Sequence, residues 1–197
     1  MSRISKIMCR QYQIIINKPF PYLLGIIDEV DSKKWYFMIG GLDTPFRHGE
    51  FIFKLLANDD FPHTPPRLEF ITPNGVFETT GPICMSVGEF HAKDKPGKEG
   101  SYGWRSTLGM PGFALQVVNM MICHDSSING IGIKIMNNEY KQNAAKSSRD
   151  FNQKNFPKIY ELFEEFIKIN PDMEPVRNIV RARENIHDIT EKVETLS

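Results

Sequence analysis

The sequence predicts an α+β protein with an N-terminal helix, a four-stranded antiparallel meander, a long functional loop and C-terminal helices. Three observations support this prediction. The first segment has apolar residues at helical spacing, four short β-rich runs follow it at close intervals, and helical periodicity returns only after a long irregular stretch. At 197 residues the chain fits one domain plus an extension.

The N-terminal helix is predicted over residues 2–17. Its apolar side chains recur every three or four positions, which gives the helix one apolar face. Pro19 and Pro21 end it. Proline has no backbone N–H to donate to a helical hydrogen bond, and its ring clashes with the preceding turn of the helix.

The four β-rich runs are bounded by turn-forming residues. They cover residues 22–27, 35–39, 51–56 and 67–71. Short turns between successive runs favour antiparallel neighbours, so the runs form a meander.

Residues 72–103 show little periodicity, and a loop of about thirty residues inside a compact domain is usually functional. A core helix is predicted over residues 113–122, because Pro111-Gly112 should break any helix that begins at Ser106. Two further helices are predicted over residues 139–151 and 157–169.

The chain is predicted to divide into a catalytic domain, residues 1–170, and a C-terminal amphipathic helix, residues 171–197. The apolar stripe of this extension steps by three and four residues from Val176 to Leu196. We expect it to fold back on its own domain. Pairing with a second copy or with a partner is the alternative, since three heptads barely satisfy the requirements of a coiled coil.

Composition excludes several classes of function. Lys+Arg and Asp+Glu both total 24, so a global basic field for nucleic acid is absent. Three scattered cysteines form neither a disulfide framework nor a zinc site. We find neither a signal peptide nor an apolar run of about 20 residues, so we expect no membrane span and a cytoplasmic location.

Cys84 is the only cysteine in the long loop, which makes it the candidate nucleophile. A buried, inert structural cysteine is the alternative, since such cysteines are common. Cys9 lies in a predicted helix and Cys123 follows the end of another, and both are better explained as packing residues. Asn74 precedes Cys84 by ten residues in the same loop, and its amide is a neutral donor of the kind that stabilises an oxyanion. A plain Asn-Gly turn is the simpler interpretation of Asn74-Gly75.

Several sequence motifs, in the same order along the chain, resemble those of the ubiquitin-conjugating enzymes. The stretch 56–70, LANDDFPHTPPRLEF, is similar to the proline-rich block that joins the third and fourth strands of that family. Residues 44–51, TPFRHGEF, resemble the block before it, and ICMSV around Cys84 resembles the catalytic Ile-Cys-Leu segment. Trp104 matches the tryptophan that opens the next helix. The similarity covers roughly residues 2–166 and implies the ubiquitin-conjugating fold.

One branch of the family, typified by members tail-anchored on the endoplasmic reticulum, also has Thr-Pro-Asn-Gly and an aromatic-His pair after the cysteine, here Phe90-His91. A location on the cytosolic face of that membrane follows if a tail has been removed. The chain departs from the family at Thr72, which replaces a mainly structural histidine. It departs again at His63 and at Ser106-Thr107, positions that contact ligases, and the segments 93–103 and 108–112 lack close counterparts.

The resemblance implies an acyl relay without metal or organic cofactor. Cys84 takes ubiquitin as a thioester from an ATP-dependent activating enzyme, and a lysine of a protein substrate, usually presented by a ubiquitin ligase, then attacks. Asn74 stabilises the oxyanion directly or holds the loop. Asp125 is the first candidate to assist deprotonation of the lysine, ahead of Ser127 and His124, although these polar residues fit a solvated loop as well.

His91 either lines the catalytic gate or caps a turn. The expected partner face comprises Lys6 and Arg10 on the first helix together with His63 and Ser106 on the adjacent loops. A solvated helix face is the alternative for the two basic residues.

Two other classes of function remain at this stage. The first is a catalytically silent ubiquitin-binding module, which the presence of Cys84 disfavours. The second is a cysteine hydrolase that pairs Cys84 with His91 or His124, which would leave the proline-rich block unexplained.

Overall fold

The computed structural model describes residues 3–18, 20, 22–91, 103–123 and 128–169. An N-terminal helix precedes four strands, and three helices follow a short 3₁₀ turn at Glu89–His91. In chain order these elements are α1 (Arg3–Asn17), β1 (Leu23–Ile27), β2 (Lys34–Gly40), β3 (Glu50–Leu56), β4 (Arg67–Phe70), α2 (Gly109–Cys123), α3 (Asn138–Asn155) and α4 (Pro157–Ile169).

The strands pair in the order β1-β2-β3-β4, each antiparallel to the next, which confirms the predicted meander. The register places Phe37 opposite Phe53, and Phe53 opposite Phe70. The rings of these residues lie 5.2 and 5.3 Å apart, and Phe77 stacks on Phe70 at 4.6 Å. This row of rings extends from the centre of the sheet into the long loop.

The two faces of the sheet contact different helices, because successive side chains of a strand point to opposite faces. Trp35, Phe37 and Ile39 of β2 pack into the larger core together with residues of α1 and α2. Tyr36 and Met38 point the other way, into a second core with residues of α4. The sheet therefore lies between two helical layers.

Helix α2 begins at Gly109, after a turn over residues 106–108. Pro111 thus lies in the first turn, where backbone N–H groups have no partner within the helix and proline is tolerated. The side-chain oxygen of Gln11 accepts a hydrogen bond from the Met110 backbone N–H at 2.9 Å, which ties the start of α2 to α1. The prediction that Pro111-Gly112 breaks the helix and delays its start to residue 113 is therefore wrong, since α2 runs through this pair.

Glu50, at the start of β3, is the centre of a buried polar network that joins the sheet to α3 and α4. Its carboxylate accepts hydrogen bonds from Tyr160 at 2.7 Å and from Arg149 at 3.1 Å. Its backbone N–H donates to Ser148, and its carbonyl accepts from the Asn152 amide at 2.7 Å. Buried polar groups need such partners, so the network fixes α3 against β3.

Thr72, the first residue after the sheet, belongs to the same network. Its hydroxyl donates to the Asn152 side-chain oxygen and accepts from the Ile52 backbone N–H at 2.9 Å. Thr72 is fully buried. This packing agrees with a structural role for the residue at this position.

The C-terminal extension, residues 171–197, lies outside the described residues, so its predicted helix and its fold-back stay predictions. None of the helices in the described part of the chain is long and apolar enough to cross a bilayer.

Candidate active site

The long loop begins with a turn that the Asn74 side chain holds together. Its amide nitrogen donates to the carbonyls of Thr72 at 3.0 Å and Phe77 at 3.3 Å. Its amide oxygen accepts from the backbone N–H groups of Val76 at 2.9 Å and Phe77 at 2.8 Å. Asn74 is fully buried, and both of its amide hydrogens are already bonded to carbonyls.

A second segment, residues 130–136, runs beside the loop and braces it through backbone hydrogen bonds. Gly132 accepts from Glu78 at 2.8 Å, and Lys134 donates to Val76 at 2.9 Å. Ile131 accepts from the backbone N–H of Cys84 at 2.7 Å, the shortest bond of the set. We call residues 130–136 the brace, because they fix both ends of the stretch from Val76 to Cys84.

Gly132 permits the close approach between the brace and the segment that carries Cys84. Its φ is +73°, a conformation that L side chains rarely adopt. A Cβ at this position would lie 2.7 Å from the Pro82 carbonyl oxygen and 3.0 Å from the Ile83 Cα. Sequence reasoning missed this glycine. The signal was the Gly-Ile-Gly-Ile alternation at residues 130–133, a pattern in which glycine often marks a close backbone approach.

Cys84 lies half-buried between apolar neighbours that point into the core. Ile83 and Met85 are both buried, so the thiol faces outward from a fixed segment. Burial raises the pKa of the Cys84 thiol, and a hydrogen bond with the backbone of Ile131 opposes that rise. The resting group is therefore a thiol whose conversion to the reactive thiolate is disfavoured by desolvation.

The Cys84 side chain opens into a cleft of about 350 Å³ between the long loop, α2 and the brace. Among the described residues, the polar side chains that line it are uncharged: Ser86, Gln116, Asn119, Cys123 and Asn129. Met120 and Ile133 supply apolar walls. The cleft can accept an extended, largely uncharged chain beside the thiol.

The other two cysteines are not packing residues, which corrects the prediction made for them. Cys9 and Cys123 are both exposed, whereas Cys84 is half-buried. Both lie on helices whose apolar content suggested burial, but each occupies a face turned to solvent. Cys123 in addition lines the same cleft as Cys84.

Several predicted site residues lie outside the part of the chain that the structure describes. Asp125, Ser127 and His124 belong to the gap at residues 124–127, so their assistance in deprotonation stays a prediction. His91 ends the 3₁₀ turn at Glu89–His91, and its side chain is not described. Its gate role is likewise untested.

The four predicted partner-binding residues are exposed and lie on adjoining elements. Lys6 and Arg10 are one turn apart on α1, and His63 and Ser106 lie on two loops that contact each other. The indole N–H of Trp104 donates to the Pro62 carbonyl at 2.8 Å and joins those loops. Their part in partner binding stays a prediction.

Metal chemistry receives no support from the described side chains. Within those ranges, no three His, Cys, Asp or Glu residues converge in a way that could hold an ion.

Comparison with known proteins extends these observations. The family model described as ubiquitin-conjugating enzyme matches residues 8–155. A relative named ubiquitin-conjugating enzyme E2 6 from Eremothecium gossypii is 24% identical over 166 residues, which cover 84% of this chain and 64% of the relative. The protein of the same name from Schizosaccharomyces pombe is 28% identical over 152 residues, 73% of this chain and 62% of that protein.

Among solved structures, human ubiquitin-conjugating enzyme E2 G1 aligns at 23% identity and a TM-score of 0.49, over 60% of this chain and 94% of that one. The chain spans less than two thirds of the length of the first curated relatives it matches. The relatives named E2 6 agree with the branch that the Thr-Pro-Asn-Gly motif indicates. Because the family match covers most of the chain, the chain belongs to the ubiquitin-conjugating enzyme family.

Proposed function

We propose that the chain accepts ubiquitin as a thioester on Cys84 and transfers it to a lysine amine of a protein substrate. The observation that carries this proposal is the position of Cys84, within the region matched to the family, at the edge of an open cleft and held by the brace. A nucleophile must be exposed enough to react and fixed enough to be aimed, and half-burial on a braced segment supports both.

Charging is a transthioesterification. The thiolate of Cys84 attacks the carbonyl carbon of the C-terminal glycine of ubiquitin, which the activating enzyme holds as a thioester. A new carbon–sulfur bond forms at Cys84, and the old one breaks to release the thiolate of the activating enzyme. The uncharged cleft beside Cys84 suits the extended tail of the modifier, since no described carboxylate or ammonium group would have to be desolvated there.

Discharge follows when a substrate amine attacks the same carbonyl. A thioester is already reactive, so the protein contributes positioning and mild deprotonation. Asp125 is assigned the role of assisting deprotonation, ahead of Ser127 and His124, as the family resemblance implies. His91 is assigned to the catalytic gate. A ubiquitin ligase would dock on the face formed by Lys6, Arg10 and the loops beside α1, and would present the substrate lysine to the thioester on Cys84.

Asn74 supports this reaction by holding the loop. Its four hydrogen bonds to Thr72, Val76 and Phe77 set the path of the chain toward Cys84. Releasing an amide hydrogen to an oxyanion would leave a buried carbonyl unsatisfied, at a cost of about 1–3 kcal/mol. The arrangement favours the positioning role over the direct one.

The test is charging with purified activating enzyme, ubiquitin and ATP, followed by gels with and without reductant. Wild type and the Cys9→Ser and Cys123→Ser variants are expected to form an adduct that thiol reductants remove. Cys84→Ser is expected to form an oxyester that resists them, because a hydroxyl accepts the acyl group but is a poorer nucleophile and leaving group. Both control cysteines are exposed, so their replacement disturbs no core. A reductant-sensitive adduct on Cys84→Ser would refute the assignment.

A panel of related modifiers in the same assay checks the choice of ubiquitin. Proteolysis of the modifier without ATP would instead identify a hydrolase. The absence of any adduct on wild type would identify a binding module.

A further inference from the structure

We propose that Asn129 is a further catalytic residue, whose side-chain amide donates a hydrogen bond to the oxyanion that forms when an amine attacks the thioester on Cys84. This inference rests on the proposed function and adds a donor for the transition state. It follows from the position of Asn129 in the cleft and from the full engagement of Asn74.

The reaction needs a donor that is available at the thioester. When the amine nitrogen bonds to the carbonyl carbon, negative charge collects on the carbonyl oxygen. The carbon–sulfur bond to Cys84 then breaks, the sulfur leaves as a thiolate, and the proton of the amine passes to a general base. A donor aimed at that oxygen lowers the barrier most when it has no other partner to give up.

Asn74 does not meet this requirement, since both hydrogens of its amide are bonded to the carbonyls of Thr72 and Phe77. It is also fully buried. An amide whose two hydrogens are already bonded holds the loop in place. It cannot donate to the reacting carbonyl without breaking one of those hydrogen bonds.

Asn129 meets the requirement on position. It immediately precedes Gly130, and a Cβ built on Gly130 would lie 3.4 Å from the Cβ of Cys84, which is ordinary contact distance. One residue further, the Ile131 carbonyl accepts the Cys84 backbone N–H at 2.7 Å. The backbone next to Asn129 therefore abuts the nucleophile, and the Asn129 side chain lines the same cleft.

Asn129 also meets the requirement on availability. Its side chain is exposed, and within the described ranges it makes no hydrogen bond to another side chain or to the backbone. Two other amides, Gln116 and Asn119, line the cleft and are exposed in the same way. They lie on α2, a separate element from the brace that adjoins Cys84. Asn143 and Gln153, exposed amides on α3 outside the cleft, serve as matched controls.

The experiment measures single-turnover discharge. Wild type, Asn129→Ala, Asn143→Ala and Gln153→Ala are charged with ubiquitin, charging is quenched, and free L-lysine is added. Loss of the thioester is followed on non-reducing gels from pH 7 to pH 9. We expect Asn129→Ala to melt like wild type, since an exposed, unbonded side chain adds little to stability. Charging forms an oxyanion on the same carbonyl, so its rate should fall as well, and it is run to completion before lysine is added.

Discharge of Asn129→Ala should be slower by roughly 10- to 100-fold. Loss of one oxyanion donor typically slows a reaction by about 10²–10³, and we expect a smaller effect here because the cleft is open to water. The deficit should be constant across the pH range, since a neutral amide does not titrate. Asn129→Gln, which keeps the amide, should recover part of the rate, whereas Asn129→Asp, which lacks a donor, should not. The two control variants should discharge within about twofold of wild type.

Three results would overturn the inference. They are discharge of charged Asn129→Ala at the wild-type rate, an equal deficit in Asn143→Ala or Gln153→Ala, or full activity of Asn129→Asp. A wild-type chain that never forms a reducible adduct would instead overturn the proposed function, and this inference with it.

Discussion

Replacement of Gly132 by alanine tests whether the brace positions the nucleophile, and Gly81 provides the matched control. Both glycines have positive φ, +73° at Gly132 and +83° at Gly81. Alanine at either site therefore costs about 1–2 kcal/mol in backbone strain. The surroundings differ, because a Cβ at Gly81 meets nothing within 4 Å whereas one at Gly132 meets Pro82 and Ile83 backbone at 2.7 and 3.0 Å.

The clash at Gly132 involves backbone atoms that cannot rotate away, so about 1–3 kcal/mol of overpacking is added to the strain. We expect Gly81→Ala to unfold about 1–2 kcal/mol more easily than wild type and Gly132→Ala about 2–5 kcal/mol more easily. At about 2–4 °C per kcal/mol, the two variants should melt several degrees apart. Since the shifted atoms flank Cys84, Gly132→Ala should also charge more slowly at a temperature where both variants are folded.

The assay is thermal unfolding followed by the rate of thioester formation with activating enzyme and ATP. Equal melting temperatures and equal charging rates for the two alanine variants would show that the close approach is immaterial to the nucleophile.

The remaining predictions concern the loop, the partner face and the thiol. Asn74→Ala should still charge but discharge to lysine roughly 100-fold more slowly, because the loop that positions Cys84 would shift. Because four buried hydrogen bonds are lost, at about 1 kcal/mol each, it should also melt lower, and an unchanged melting temperature would contradict the positioning role. Reversing the charges of Lys6 and Arg10 should slow charging, more so at low salt, and kinetics insensitive to both changes would identify a merely solvated face. Burial raises the pKa of the Cys84 thiol, and iodoacetamide alkylates the thiolate. As pH rises, the alkylation rate of Cys84 should therefore keep increasing after the rate of a model cysteine peptide has reached its plateau. Identical plots of rate against pH for the protein and the peptide would argue against the raised pKa.

The sequence predicted most of the architecture because the relevant signals are local. Helical spacing identified α1 and α4, and turn residues separated the four strands within a residue or two of their observed ends. The position of Cys84 in a long loop was equally visible. Such features depend on the periodicity of neighbouring residues and on turn chemistry.

What the sequence did not predict depends on contacts between distant segments. The bond from Cys84 to Ile131, and the tight fit of Gly132 beneath Pro82, join parts of the chain that no local pattern connects. The direction of the Asn74 amide depends on the path of the loop around it. The exposure of Cys123 was missed for a related reason. Helix α2 is apolar over most of its length, and its sequence alone does not show which face is exposed to solvent.

The network around Glu50 determines where the chain can be cut. The family match ends at residue 155, yet the Tyr160 hydroxyl, five residues later, donates to the Glu50 carboxylate at 2.7 Å. A recombinant fragment trimmed to the match would leave that carboxylate short of a partner. It would also uncover the apolar face of the sheet against which Phe163 and Ile167 pack, and such a surface promotes aggregation. Expression of a well-behaved fragment therefore requires the chain to continue at least to Ile169.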